Sequence, residues 1–362
     1  MTTIAIDASA LAGAMSGTPR YIRELIRALG MLPTQEKFLI LHRGRRAQAP
    51  VPPTMETVAA NVPLWLSVFV PYALVRKRCR LIHFPYAAMP PWLPCSSVTT
   101  VHDLAFVRHP EWFTPRMAHM LRRTWLPAIR RADHLLCVSE FTRREVMELP
   151  GTEPGRITVA HHGVGSMWHL SREQEGLAHP NQGRPYILAV GTISPRKNYA
   201  RLIEAFAQAS PQLGGLDLCM VGSPGWGVDN LAQVAAQYGV GARVRLPGAA
   251  SDHDLLAWYH HAQALAFVSL YEGFGLPLLE AMAQGVPCLT SNGSALAEVA
   301  ADAAELVDPL DAAAIAEGLV RVCVDADLRA RLRERGLARA REFTWEACAR
   351  TTMQAYRAAL SR

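Results

Sequence analysis

The chain is poor in the features that mark several large classes of protein. Seven cysteines stand singly, at positions 79, 95, 137, 219, 288, 323 and 348, with no CxxC pair and no Cys/His cluster at zinc spacing. That excludes a disulfide framework and a zinc module. Cysteines set inside apolar runs, as in Leu135-Leu136-Cys137-Val138, fit packing as small hydrophobes in a reducing cytoplasm. No low-complexity tract or short repeat is present, which excludes fibrous and disordered classes. The longest uncharged run of the first half, residues 57–75, carries Asn61, Pro63 and Pro71, so no spanning helix is expected there. The first eight residues read as a strand without a basic leader, and no signal peptide is expected. Lysine is scarce: Lys37, Lys77 and Lys197 stand among 34 arginines.

What is present is an ordinary globular composition with uneven charge. A length of 362 residues suggests two domains. Residues 1–170 hold 20 basic against 11 acidic side chains, and residues 171–362 hold 17 against 20. An anionic partner, a membrane surface or a phosphate-bearing substrate, is therefore expected on the first half. Arginines scattered over exposed helix faces for solubility are the plain alternative. No compact basic–aromatic motif points to nucleic acid. Leu64-Trp65-Leu66 and Val68-Phe69-Val70 precede Arg76-Lys77-Arg78, with Arg80 beyond. An apolar face beside a basic cluster is what a segment lying on an anionic membrane needs, and a buried helix with a solvated end is the alternative.

Short apolar runs alternate with helical patterns. In the first half the runs are residues 4–6, 38–41, 81–84, 98–101, 135–138 and 157–160; in the second, 186–190, 216–221, 244–246, 264–268, 286–290 and 305–307. Strand–helix alternation predicts parallel sheets covered on both faces, and two such series predict two doubly wound α/β domains with a cleft between them as the default active site. The expected division is residues 1–168, a polar linker at 169–184, and 185–344, with a helix at 345–362.

Two segments carry chemistry. In Tyr271-Glu272-Gly273-Phe274-Gly275-Leu276-Pro277, two glycines admit a ligand to the backbone, and Pro277 suits the first turn of a helix whose free N–H groups attract an anion. Glu280, one turn on, can accept from two vicinal hydroxyls, as on a ribose; an ordinary helix glutamate beside a turn is the alternative. In Gly191-Thr192-Ile193-Ser194-Pro195-Arg196-Lys197-Asn198, two cations open a helix, which conflicts with its dipole unless an anion is bound. A diphosphate resolves the conflict, with arginine as a fork and lysine as a point charge. Asp252-x-Asp254 and Asp325-x-Asp327 look like metal-binding pairs but fall at helix starts, where aspartate caps. No metal is expected.

Glu272-x7-Glu280 with its G-F-G-x-P core resembles the signature of the retaining glycosyltransferases of family 4, which have the two-domain GT-B fold. Gly17-Thr18-Pro19-Arg20-Tyr21, His102-Asp103-Leu104, Val138-Ser139-Glu140-Phe141, His162-Gly163-Val164 and Leu246-Pro247-Gly248 resemble further landmarks in the family's order. Residues 345–356 resemble its terminal helix crossing back to the first domain. The resemblance implies a metal-independent hexosyltransferase without a cofactor. Its nucleotide-sugar donor would be held by Gly17, Gly191, Thr192, Leu246, Gly248, Gly273, Phe274, Gly275, Leu276 and Glu280, with His102, Glu272, Arg196 and Lys197 as catalytic residues. Arg196 and Lys197 would neutralise the leaving diphosphate, and Glu272 and His102 would bracket the sugar. The Pro195-Arg196-Lys197-Asn198 form is similar to mannosyl- and rhamnosyltransferases, which implies a GDP-linked donor, and the basic first half fits a lipid-linked or polysaccharide acceptor at the inner membrane face. The sequence departs from the family at Thr192, where arginine is common, and at Pro19, where a small residue is. An epimerase or phosphorylase of the same fold, or a non-catalytic sugar-nucleotide-binding partner of another transferase, remains open at this point.

Overall fold

A computed structural model describes residues 2–12, 17–44, 51–169, 176–228 and 230–362. Residues 13–16 of the first loop and 170–175 of the expected linker lie outside the described residues. The chain divides into two compact units: Met1–Arg108 with Pro115–Gly163 and Phe343–Arg362, and His109–Thr114 with Val164–Glu342.

The sheet of the first unit runs β1 (Thr3–Asp7), β2 (Lys37–Arg43), β3 (Glu56–Ala60), β4 (Leu81–Phe84), β5 (Ser96–Val101), β6 (His134–Cys137) and β7 (Ile157–Val159) along the chain. Its spatial order is β3-β2-β1-β4-β5-β6-β7, every pair parallel. The second unit contributes β8 (Tyr186–Val190), β9 (Asp217–Val221), β10 (Val244–Gly248), β11 (Ala264–Phe267), β12 (Cys288–Ser291) and β13 (Glu305–Val307). Their order is β10-β9-β8-β11-β12-β13, again all parallel. In each sheet the order reverses beside the first strand, which is the doubly wound pattern expected.

Side chains alternate across the strands, so one strand feeds two cores. On β1, Ile4 and Ile6 join a cluster with Tyr21 and Leu25 of the Gly17–Met31 helix and Met353 and Tyr356 of the Trp345–Leu360 helix. Ala5 faces the other way, into a cluster with Trp65, Val70, Leu74 and Phe84. All twelve apolar runs named above form strands. β3 was absent from them: Glu56-Thr57-Val58-Ala59-Ala60 is an edge strand paired, among the described residues, only to β2, too polar to signal burial. The rest of that uncharged run became a helical segment, residues 65–76.

Residues 343–362 return to the first unit. The Tyr356 hydroxyl meets His83 Nδ1 at 2.8 Å, His83 Nε2 meets Thr100 Oγ1 at 2.8 Å, and that hydroxyl meets the Tyr21 hydroxyl at 3.0 Å. The first unit ends at Gly163, five residues before the expected end at 168. Trp168 explains this: its ring stands edge-on to Tyr259 and its carbonyl accepts from Gln284 Nε2 at 2.6 Å. The other handover, at Phe343, comes two residues early. Residues 109–114, expected with the first half, pack with the second: Trp112 contacts Tyr271, and its carbonyl accepts from Trp226 Nε1 at 2.6 Å.

Candidate active site

In the second unit the reversal of strand order lies between β8 and β11. Loops leaving the carboxyl ends of such a pair diverge and leave room for a ligand. The β8 loop carries Gly191 to Asn198, and the β11 loop carries Tyr271 to Gly275, so both segments singled out from sequence meet here. Pro195–Lys197 is a single tight helical turn. It ends on Asn198, whose left-handed backbone (φ 60°) starts the Tyr199–Ala209 helix. Asn198 Nδ2 donates to the carbonyls of Val268, at 3.1 Å, and Pro309, at 2.7 Å. The Leu270 N–H donates to the Arg196 carbonyl at 2.8 Å. The two loops are thereby tied backbone to backbone.

Between them Glu272 receives both cations. Arg196 Nη1 donates to its Oε2 at 2.6 Å and to the Tyr271 carbonyl at 3.2 Å, and Lys197 Nζ donates to Oε1 at 2.6 Å. Lys197 Nζ also lies 4.4 Å from the centroid of the Phe267 ring, within cation–π range. The Lys197 stem crosses Gly191. A Cβ at Gly191, where φ is 143°, would lie 2.7 Å from Lys197 Cε, so only glycine admits it. Burial alone would raise the Glu272 carboxyl, but the adjacent charges and hydrogen bonds of Arg196 and Lys197 outweigh it and hold the group at about 2. It is therefore ionised at neutral pH, and the trio carries one net positive charge.

Gly275, with φ 115°, precedes the Leu276–Ala283 helix, and a Cβ there would strike Leu296 at 2.7 Å. Gly273 and Phe274 are buried, and Leu276 is half-buried at the helix start. Glu280 is 2% exposed and accepts from the Tyr259 hydroxyl at 3.0 Å. Thr192 is exposed at the end of β8, next to Gly191. Leu246 and Gly248 lie on edge strand β10, where Leu246 is exposed and the Gly248 carbonyl accepts from the Gly222 N–H at 2.8 Å. Among the described residues no three His, Cys, Asp or Glu side chains converge as a metal site. Asp325 caps the helix after it. At the other DxD the cap is Ser251, bonded to Asp254, rather than an aspartate.

Two of the residues expected at the site belong to the first unit. Gly17 is exposed and opens the Gly17–Met31 helix. His102 Nε2 donates to the Pro85 carbonyl at 2.8 Å, and its ring stands edge-on to Tyr21. Burial lowers its pKa despite that carbonyl and Asp103, so the ring is neutral and Nδ1 is an acceptor. The first sheet reverses between β1 and β4. There Asp7 is fully buried and accepts from the Ser9 N–H, the Tyr86 hydroxyl and Trp65 Nε1. The three residues that bond Asp7 also line a cavity of about 470 Å³, with Arg43 and Leu64 among others.

Sequence reasoning placed the cations on a diphosphate and Glu272 on a sugar hydroxyl; in the structure Glu272 spends both oxygens on the cations. It gave no role to Phe267, Tyr259 or Asn198. Asn198 had a usable signal, as asparagine tolerates positive φ and favours helix starts. Phe267 and Tyr259 read as core and had none.

Two family models match the chain: one described as Glycosyltransferase Family 4, over residues 15–165, and one described as Glycosyl transferases group 1, over residues 172–339. The chain is 29% identical over 367 residues to O-antigen chain mannosyltransferase B of Escherichia coli, covering 95% of this chain and 96% of that protein. It is 30% identical to a glycogen synthase of Mycobacterium tuberculosis over 77% of this chain and 67% of that protein. Among solved structures, a sucrose-phosphate synthase from Thermosynechococcus elongatus superposes with a TM-score of 0.78 at 22% identity, over 99% of this chain and 98% of that one. WaaG, a glycosyltransferase involved in lipopolysaccharide biosynthesis, superposes with a TM-score of 0.72 at 17% identity, over 98% of each chain.

Proposed function

The chain belongs to family 4 of the glycosyltransferases, with the GT-B fold, and on that premise we propose that it is a retaining hexosyltransferase. It takes mannose or a related sugar from a GDP-linked donor and passes it to a lipid-linked or polysaccharide acceptor in bacterial surface-glycan synthesis. The O-antigen mannosyltransferase relative supports the sugar and the surface-glycan class. One observation carries the chemistry: two cations held on one carboxylate at the strand reversal of the second sheet. A departing diphosphate needs positive charge already in place, and preorganised charge of this kind is usually the largest catalytic contribution. Glu272 holds the cations there, and the net positive charge of the trio faces the anion. The Gly275–Leu276 amides extend the same field, and Glu280 takes the ribose. The donor is the only small molecule required, and no cofactor or metal is invoked.

Glu272 is a poor nucleophile at this depth of acidity, with both oxygens engaged. Retention is then served by attack of the acceptor hydroxyl on the face the diphosphate leaves. The bond between the anomeric carbon and the phosphate oxygen breaks with its electron pair going to GDP, the acceptor oxygen bonds to the anomeric carbon, and its proton passes to the leaving oxygen. His102 Nδ1, an acceptor on a neutral ring, is proposed to take a hydroxyl of the donor sugar.

The test is a thermal-shift panel of nucleoside diphosphates and their sugars, followed by product analysis. GDP and GDP-mannose should raise the melting temperature most, and the product from an α-linked donor should show an α anomeric proton. A β product overturns retention. Release of an epimerised sugar, free or still nucleotide-linked, with no glycoside under any acceptor, overturns the transferase in favour of the epimerase class. Donor binding without turnover points instead to a binding partner.

A further inference from the structure

Among the described residues the first unit leaves an apolar helix face uncovered beside a cluster of arginines. The segment of residues 65–76 opens as a wide turn, with the Phe69 N–H reaching the Leu64 carbonyl at 3.2 Å, and continues as the Val70–Arg76 helix. Its inner side is buried: Trp65, Val70, Ala73 and Leu74 pack with Ile82 and Phe84. Leu64, Val68, Tyr72 and Val75, spaced four, four and three residues apart and so on one face, are 61%, 55%, 60% and 58% exposed. Other large apolar side chains exposed to that degree, such as Met31, Met120 and Leu310, are scattered singly. Trp92, 61% exposed, lies on the loop whose Met89 and Leu93 pack against the inner side of the same segment.

The helix ends in positive charge. Lys77 pairs with Glu56, while Arg76, Arg78 and Arg80 are exposed. The Cys79 N–H bonds the Leu74 carbonyl at 2.9 Å and the Arg78 N–H bonds that of Val75 at 3.1 Å. This is a Schellman end, whose left-handed residue is usually glycine. Here it is Arg78, at φ 51°. A strained arginine at a glycine position keeps its charge where the apolar stripe ends.

We infer that this face is an in-plane anchor for an anionic lipid surface, with Leu64, Val68, Tyr72 and Val75 entering the headgroup layer and the arginines on lipid phosphates. The arginines choose the occupant, since a second copy would bring the same positive cluster to the contact. Leu64 also lines the cavity over Ser9, Arg43 and Tyr86, so docking brings that opening to the headgroups. The inference deepens the proposed function by placing its lipid-linked acceptor, while its observations stand apart from the donor site.

The test is co-flotation of the full chain with phosphatidylcholine vesicles and with phosphatidylcholine–phosphatidylglycerol vesicles, with GDP thermal shift measured in parallel. The chain should float with the anionic vesicles and less so at raised salt. Val68→Asp with Tyr72→Asp, and separately Arg76→Glu with Arg78→Glu, should each weaken binding about tenfold or more with melting and the GDP shift unchanged. No flotation by the wild type overturns the inference. So does undiminished flotation of the Val68→Asp, Tyr72→Asp variant, which would mean that charge alone suffices. A wild-type dimer that Tyr72→Asp dissolves, without vesicle binding, assigns the face to a second copy and also overturns it. A missing GDP shift with intact flotation would count against the proposed function only.

Discussion

At the scale of single residues the site rests on Glu272. A carboxylate that is 8% exposed survives as an ion because two cations reach it from the neighbouring loop. Its folded pKa, about 2, lies below the unfolded value of about 4.3. The stability it contributes is thus complete above the unfolded value and lost as pH falls through about 2. Across neutral pH it does not titrate, so it serves as a fixed charge and not as a proton carrier. Glu272→Ala removes the carboxylate that Arg196 and Lys197 share and should cost about 3 kcal/mol of stability. Added GDP should restore more of the melting temperature in that variant than in the wild type, because the ligand offers the missing negative charge. Lys197→Ala should keep its fold, lose the GDP-induced shift and lower turnover about a hundredfold or more. An unchanged shift and rate in Lys197→Ala would separate this trio from the donor.

At the scale of elements, strand positions were legible because parallel strands buried on both faces are continuous apolar runs, as in Tyr186-Ile187-Leu188-Ala189-Val190. β3 was illegible for the converse reason. The 65–76 segment shows a different limit. Its residues are apolar nearly all round, and periodicity alone cannot say which side meets the core; β1, β2 and β4 packing on Trp65 and Leu74 decided that, leaving Val68 and Tyr72 outside. The helix end offers a prediction with two signs. Arg78→Gly should stabilise the first unit by up to ~1 kcal/mol, because glycine meets no Cβ penalty at positive φ. The same change should weaken binding to anionic vesicles. A melting temperature that falls would mean the arginine side chain stabilises the turn by more than its backbone strain costs.

At the scale of the whole molecule, the histidines held furthest below their ordinary range lie in the first unit, while burial also lowers His169 and His179 of the second. Burial, with His102 nearby, pushes His83 down to about 3; burial and two arginines push His134 to about 4; and burial lowers His162 and His102. All four lie in the first unit. Unfolded histidine binds its proton near pH 6.5, so the unfolded state takes up protons first as pH drops. Stability carried by these neutral rings is complete above about 6.5 and lost progressively below it. The melting temperature should therefore fall between pH 7.5 and pH 5. His83→Asn, which keeps a polar group between Tyr356 and Thr100 without titrating, should flatten that slope. An equal slope in the variant would place the sensitivity elsewhere.

The amino-acid sequence by itself determined the doubly wound class, the strand series apart from β3, and the two loops that carry Arg196, Lys197 and Glu272. These follow from local rules, burial written as apolar runs and loop chemistry written as glycine, proline and charge. Only the tertiary structure decided that Glu272 holds the cations, that Phe267 lies under Lys197, that Tyr356 reaches back to His83, and which side of the 65–76 helix is bare. Each of these depends on groups far apart along the chain, and their pairing is set by strand order, which no local pattern encodes.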